Sequence, residues 1–406
     1  MAAVGYGPGR VLSVGNIYPP HDFAGGYELL WRGSVTQLRG RGHTVRVLVS
    51  EYRSPALDPG FELDDDVHRD LRWYWRDHDF PRRSLRERLD IERHNAGVLE
   101  HHLRELEPDA VAWWGMGGMS LSLIERVRRA GIPAIGVVGD EWMEWGFRAD
   151  RWLAPLRRSR FPGITERMTG LPARVDLDPA ATWLFMSAAV RDRARAAGWG
   201  LPGARVVPPG IDDELFKPAD PERWGWRLLY LGRIEARKGV HVAVESLAHL
   251  PVEATLVLQG NVEERYRDEL LTRARALEVE DRVTFSSGPR QSLPRVYAAA
   301  DAVLFPVQWE EPWGLVPLEA MAVGRPVVAS GTGGSREYLR HEENALVYEP
   351  RDSVAALAAA VLRLADDAEL RGRIREAGFE TAARYTQRRY NDAIAEALKA
   401  AAGEAR

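Results

Sequence analysis

Two carboxylates, Glu311 and Glu319, enclose the run Pro312-Trp-Gly-Leu-Val-Pro-Leu318, and the stretch Ala320-Met-Ala-Val-Gly-Arg-Pro-Val-Val-Ala-Ser330 reads as a helix feeding a buried strand. On one continuous helix, acids at this spacing would stand about 80° apart around the axis. Pro312, Gly314 and Pro317 argue against a shared helix, because proline is tolerated only near a helix start. Glu311 is therefore expected on a loop and Glu319 in a first turn. The amides of Gly314, Leu315 and Val316 would then point out of the helix N-terminus, forming an anion site with an acid on each side. Each acid also has a plainer reading, Glu319 as a first-turn glutamate favoured by the helix dipole and Glu311 as a solvated loop acid.

A second segment supplies the opposite charge. Gly232-Arg-Ile-Glu-Ala-Arg-Lys-Gly239 follows the apolar run Leu228-Leu-Tyr-Leu231 and opens a helical pattern from Val240 to Leu250. Arg233 offers a planar fork and Lys238 a point charge, a pair suited to a diphosphate. Lysine occurs only at 217, 238 and 399, so 52 of the 55 basic residues are arginine (55 less 3). Against that bias, a lysine beside a glycine in a strand-to-helix loop is a pointed choice, although an ordinary solvated helix start would also read this way. Two further glycine-rich loops stand out. Gly15-Asn-Ile-Tyr-Pro-Pro-His21-Asp-Phe-Ala-Gly25-Gly26 follows the first apolar run, and Ser330-Gly-Thr-Gly-Gly-Ser-Arg-Glu337 follows Pro326-Val-Val-Ala329. Backbone without side chains at Gly25 and Gly26 could approach a phosphate or sugar closely, or could simply make a tight turn.

These loops need elements to hold them. β-branched and apolar runs alternate with longer helical patterns, the signature of parallel α/β units. The first series of strands is expected at Val11 to Val14, Val45 to Val49, Ala110 to Trp113, Ala134 to Val138 and Trp183 to Met186. A second series is expected at Arg227 to Leu231, Thr255 to Leu258, Val283 to Phe285, Ala302 to Phe305, Pro326 to Ala329 and Ala345 to Tyr348. Between them, Val206-Val-Pro-Pro-Gly-Ile-Asp-Asp-Glu-Leu-Phe-Lys-Pro218 has the turn residues of a linker. Helical patterns at Val354 to Ala365 and Arg388 to Ala402 close the chain.

Composition sets the outer limits. A chain of 406 residues exceeds what one core usually supports, so two domains are expected. A net charge of -4 excludes bulk positive charge as a means of holding nucleic acid, so any phosphate recognition must be local. With no cysteine, disulfides and thiolate chemistry are excluded. The N-terminus lacks the pattern of a signal peptide, and no uncharged apolar run approaches the roughly 18 residues of a membrane span. A cytoplasmic protein is expected. The basic aromatic stretch Arg151 to Phe161 suggests at most peripheral contact with the inner face of a membrane.

Taken together, Gly25-Gly26, Pro209-Gly-Ile-Asp-Asp-Glu-Leu-Phe216, Gly232-Arg233 through Lys238-Gly239, Leu293-Pro-Arg-Val-Tyr-Ala-Ala-Ala-Asp301, Glu311 through Glu319 and Gly333-Gly334 with Glu337 make the chain resemble the retaining, nucleotide-sugar-dependent glycosyltransferases of family 4. The resemblance covers nearly the whole chain. It implies a GT-B architecture, with two doubly wound Rossmann-like parallel-sheet domains facing across a cleft. Residues 1–210 would form the N-terminal acceptor-binding domain, with helix 388–406 packing back on it, and 211–387 the donor-binding domain.

The resemblance also implies roles. Glu311 would face the hydroxyls of the donor sugar and Glu319 would bond the nucleotide ribose. Arg233 and Lys238 would hold the diphosphate, with Gly232 and the amides of Gly314, Leu315 and Val316 beside it. Gly25, Gly26 and His21 would line the same site from the other domain. The substrates would be a nucleoside diphosphate sugar, UDP-sugar favoured over GDP-sugar, and a hydroxyl acceptor that is a saccharide, a lipid-linked molecule or a small molecule. No cofactor, metal or nucleic acid would be required, because fixed cations and a helix N-terminus replace the metal. The departing phosphate would itself take the acceptor proton, and no protein nucleophile would be needed.

One departure matters. Many members carry a histidine after the strand that matches Ala110 to Trp113, whereas here the stretch is Trp114-Gly-Met-Gly-Gly-Met-Ser120. A frequent His-Asp after the next strand appears as Asp140-Glu141-Trp142. These three residues are therefore candidates for a remodelled sugar or acceptor pocket, alongside Trp145 and the Trp113-Trp114 pair. Two rival readings stay open, a phosphorylase or sugar-nucleotide epimerase on the same scaffold and a non-catalytic sugar-nucleotide-binding subunit. A nicotinamide-dependent enzyme is excluded, because Gly5, Gly7 and Gly9 precede the first strand instead of following it.

Overall fold

Aliphatic runs too short for helices and too apolar for an exposed face form parallel strands covered on both sides. The computed structural model describes residues 9–20, 25–52, 64–75, 79–157 and 161–404. The chain divides into two compact units, Met1–Val207 with Tyr390–Arg406, and Pro208–Arg389.

The first unit carries β1 (Arg10–Val14), β2 (Thr44–Ser50), β3 (Val67–Leu71), β4 (Ala110–Trp113), β5 (Ala134–Val138), β6 (Thr182–Phe185) and β7 (Arg205–Val206), in the order β3-β2-β1-β4-β5-β6-β7. Every pairing is parallel. Two of these strands were not expected. β3, Val-His-Arg-Asp-Leu, is polar because it lies at the sheet edge with little to bury, and β7 is two residues long and overlaps the stretch taken for linker only at Val206. The helix Leu85–Leu106 opens on a capping box, Ser84 accepting from the amide of Glu87 and Glu87 accepting from that of Ser84. The core is rich in tryptophan, with Trp113, Trp142, Trp152 and Trp183 all buried. The closing helix Gln387–Glu404 packs on this unit. Ser34 Oγ donates to Asn391 Oδ1 at 2.7 Å, Asn391 Nδ2 to Gln37 Oε1 at 3.1 Å, and Gln37 Nε2 to Asp392 Oδ1 at 2.8 Å.

The second unit carries β8 (Arg227–Leu231), β9 (Thr255–Gln259), β10 (Val283–Ser286), β11 (Ala302–Phe305), β12 (Val327–Ala329) and β13 (Leu346–Val347), in the order β10-β9-β8-β11-β12-β13 and parallel throughout. The helix expected over Val240 to Leu250 ends at Ser246 and tightens into a 3-10 turn over Leu247–His249.

Each sheet grows outward in both directions from its first strand, so each has a point where the strand order reverses: β1 beside β4, and β8 beside β11. Loops leaving the carboxyl ends of such a pair diverge to opposite faces and leave a crevice.

Candidate active site

At the β8/β11 switch point the two loops are forced together by glycine. The loop after β8 makes one 3-10 turn over Ala236–Lys238 and passes through Gly239 at φ 71°. A Cβ on Gly239 would stand 1.8 Å from the carbonyl oxygen of Pro306, just beyond β11, so no other residue permits this approach. The Gln308 amide then donates to the Arg237 carbonyl at 2.9 Å, tying loop to loop.

That closure sets Lys238 Nζ 2.6 Å from Glu311 Oε2, with both side chains largely buried. Trp309 Nε1 donates to the same oxygen at 2.9 Å, and the Arg237 guanidinium lies 4.2 Å from the centroid of the Trp309 ring. From behind, the turn after β12 supports the loop: the Gly334 amide donates to the Glu311 carbonyl at 2.7 Å and the Gly333 amide to Glu310 Oε2 at 3.0 Å. A Cβ on Gly333 would lie 2.3 Å from the Glu311 carbonyl oxygen, at a φ of 55°. Glu311 is thus a loop acid, as expected, but not a solvated one.

Glu319 is the fifth residue of the helix Leu315–Val323 and lies one position beyond the first turn where it was expected. The helix begins at Leu315, two residues before Pro317, with Gly314 (φ 87°, ψ 98°) as its N-cap, so Pro317 is the third helical residue and Glu319 lies further in. The first amides of the helix, those of Leu315 and Val316, have no acceptor within it. Glu319 is 2% exposed, and both of its oxygens are held: Oε1 accepts from Arg290 Nη2 at 3.0 Å and Oε2 from the Tyr297 hydroxyl at 2.8 Å. Burial, with the charge of Glu319 adding, pushes the Tyr297 hydroxyl well above its ordinary pKa, so it stays a donor.

Arg233 is placed differently. Its guanidinium is half exposed and 3.6 Å from Glu235. Its carbonyl accepts from the Tyr230 hydroxyl at 2.7 Å. Burial raises the pKa of that phenol, with Glu235 and Glu311 adding and Arg233 opposing, so it stays a donor. Gly232, at φ 133°, makes the bend out of β8.

In the first unit, the amide of Gly25 donates to Glu28 Oε2 at 2.8 Å, and Gly26 opens the helix Gly26–Gly40. Asp140 accepts from the Trp142 amide at 2.9 Å, and Glu141 accepts from Arg193 at 3.1 Å. Burial pushes Asp140 up to about 6, the charges of Glu28 and Glu141 adding and the Trp142 amide opposing. Trp142 is corrected by the structure. It is 0% exposed and packs against Trp183 at 5.9 Å, so its ring belongs to the core and has no face for a sugar. Trp113 and Trp114 are likewise buried, Trp114 stacked on Trp31 at 5.5 Å. His21 lies outside the described residues.

Several residues of the site escaped the sequence reading. Trp309, Arg290 and Tyr297 hold the two acids, and no local spacing announces them, although each lies within or beside a segment already singled out. Thr332 is a further case. Its hydroxyl is buried and has no partner among the described residues, in the glycine-rich turn that supports Glu311.

The chain is similar to known proteins in sequence and in fold. A family description, glycosyl transferases group 1, matches residues 213–381, all within the second unit. D-inositol 3-phosphate glycosyltransferase of Xylanimonas cellulosilytica is 35% identical over 217 residues, covering 49% of this chain and 50% of that protein. The α-D-kanosaminyltransferase of Streptomyces kanamyceticus is 31% identical over 265 residues, covering 61% of this chain and 67% of that protein. The chain thus spans about half the length of the first of these relatives and two thirds of the second. Among solved structures, the Anabaena protein HepE in complex with UDP-glucose superposes with a TM-score of 0.68 at 21% identity, covering 96% of this chain and 99% of that one. With two parallel-sheet units, that likeness shows a GT-B architecture.

Proposed function

Because the chain belongs to the group 1 glycosyl transferases, we propose that it moves a hexosyl group from a nucleoside diphosphate sugar to an acceptor hydroxyl, with retention of anomeric configuration, as a member of family 4. The observation that carries this reading is the Lys238 to Glu311 contact of 2.6 Å beside the first amides of the helix Leu315–Val323. A diphosphate seated there would meet Lys238, the fork of Arg233 and the amides of Gly314, Leu315 and Val316. Negative charge grows on the leaving phosphate as its bond to the anomeric carbon breaks, and donors fixed in advance stabilise that charge without reorganising. The acceptor oxygen bonds to the anomeric carbon on the same face, and its proton passes to the departing phosphate oxygen.

In this reading Glu311 turns from Lys238 to the sugar hydroxyls when donor enters, and Lys238 turns to the phosphate. Glu319, held rigid by Arg290 and Tyr297, uses its remaining lone pairs on the ribose. Gly25 and Gly26 are assigned to the diphosphate or the acceptor, and Asp140 and Glu141 to the acceptor. The fixed cations make a metal unnecessary for transfer. UDP-sugar is favoured over GDP-sugar, consistent with the UDP-glucose bound by HepE. We place the protein in the cytoplasm. Among the described residues no helix is long and apolar enough to cross a membrane. Peripheral contact would use Phe161, Ile164 and Met168, exposed at 66%, 58% and 79% beside Arg157 and Arg167.

The test is a thermal-shift screen across UDP, GDP, ADP and TDP sugars, followed by turnover with and without EDTA. A bound donor raises the melting temperature by mass action. The proposal expects one nucleotide class to stabilise the protein and EDTA to leave the rate unchanged. Stabilisation by none, or a rate abolished by EDTA and restored by magnesium or manganese, would overturn it.

A further inference from the structure

The edge of the first sheet gathers a second set of ligating groups. β3 presents His68 and Asp70, and the helix Leu85–Leu106 presents His102 against them. Between the pairs Leu48 with His68 and Ser50 with Leu71, β3 carries one residue more than β2, a bulge of the kind that re-aims side chains. His68 Nδ1 lies 3.8 Å from Asp70 Oδ2, His102 Nε2 lies 3.6 Å from the same oxygen, and one ligand atom from each of the three residues falls within 4.8 Å of the others. Donors at 2.0 to 2.2 Å from a tetrahedral ion stand about 3.4 Å apart, so only a small closure is needed. Asp70 and His68 can supply it, being 51% and 35% exposed.

We propose that His68, Asp70 and His102 form a binding site for a divalent transition-metal ion of the zinc class.

The surroundings favour a site of this kind over a chance cluster. Asp66 Oδ1 stands 2.7 Å from His68 Nε2, so that nitrogen carries the proton and Nδ1 turns its lone pair toward Asp70. This carboxylate-to-histidine support is the arrangement that orients histidines on metals. His102 is 3% exposed and its Nε2 lies 3.6 Å from Asp70 Oδ2, so the fold itself holds one imidazole in place at the cluster. Two imidazoles and one carboxylate suit zinc better than magnesium or calcium, which prefer oxygen alone. Asp70 and His102 border a hollow of 690 Å³ lined also by Arg69, Arg93, His94 and His101, which gives an ion entry. Arg46 opposes the ion. Its guanidinium is 3.5 Å from His102 Nδ1 and bonds Asp66 Oδ1 at 3.0 Å. Its removal should therefore tighten binding.

The experiment is calorimetric titration of zinc chloride into the full chain after dialysis against chelator, repeated on variants, with the visible spectrum of the cobalt(II)-loaded protein as a second readout. A single equivalent is expected. His102→Ala and Asp70→Ala should abolish it, Asp66→Asn should weaken it ten- to a hundredfold, and Arg46→Ala should strengthen it. Should His102→Ala fail to fold, His68→Ala at the exposed strand edge removes an imidazole ligand without disturbing the core and should abolish binding in the same way. No saturable zinc binding, or binding that His68→Ala and Asp70→Ala retain, would overturn the proposal. The readouts do not depend on sugar transfer.

Discussion

The two switch points share a topology and differ in what fills them. Beside β8 and β11 the loops bring charge into contact: Lys238 on Glu311, and Arg290 on Glu319 nearby. Beside β1 and β4 the loops pack. The Asn16 amide donates to the Gly115 carbonyl at 2.7 Å, Trp114 stacks on Trp31, and Tyr27 lies 5.8 Å from Trp114 with its hydroxyl on the Val137 carbonyl. Position in an α/β sheet offers a crevice, but side-chain chemistry decides what the crevice is for. The switch point of the second unit gathers paired charge, and that of the first gathers packed rings.

Breaking the charged switch point should have the largest effect. Lys238→Ala is expected to lower kcat/KM by about a thousandfold with an unchanged circular dichroism spectrum, the scale seen when one fixed donor to a developing charge is lost. Next, Glu319→Ala should raise the donor KM about tenfold, a loss near 1.4 kcal/mol, with a smaller change in kcat; steady-state kinetics at saturating acceptor separates the two. Gly239→Ala probes how the loops are closed. Its φ of 71° and the 1.8 Å approach to Pro306 predict a stability loss of roughly 1–3 kcal/mol, read from denaturant midpoints.

The packed switch point should respond least. Asp140→Asn should leave donor KM unchanged and alter turnover by less than about tenfold, a shift below 1.4 kcal/mol. It should also change the pH dependence of stability. Asp140 is pushed up to about 6 in the folded protein from an ordinary value of 3.8. Between those values the folded state keeps a proton that the unfolded state has released, so stability falls as pH rises from about 4 to 6. Melting temperatures of the wild type should carry that slope, and those of Asp140→Asn should lose it.

Much of this was legible in the sequence because it is written in backbone chemistry. The strands of both units show as apolar runs, and Gly232, Gly239, Gly314 and Gly333 mark bends where φ is positive. Glu311 and Lys238 could be named, yet their contact could not, since it depends on the pairing of β8 with β11 and on the clearance at Gly239. The edge strand β3 was missed because a strand with one exposed edge and a bulge keeps no apolar signature. Trp142 was misplaced for a related reason. Tryptophan suits both a sugar platform and a core, and only burial distinguishes the two. Arg290 and Tyr297 were invisible as partners of Glu319 because their contacts join segments more than twenty residues apart.

The claim at the centre is that the diphosphate is held by the charged switch point of the second unit. Its sharpest test is calorimetric titration with the nucleoside diphosphate selected by the donor screen, into wild type, Lys238→Ala and Asp140→Asn. Affinity should fall at least tenfold in Lys238→Ala and stay at the wild-type level in Asp140→Asn. Undiminished binding by Lys238→Ala would refute the claim.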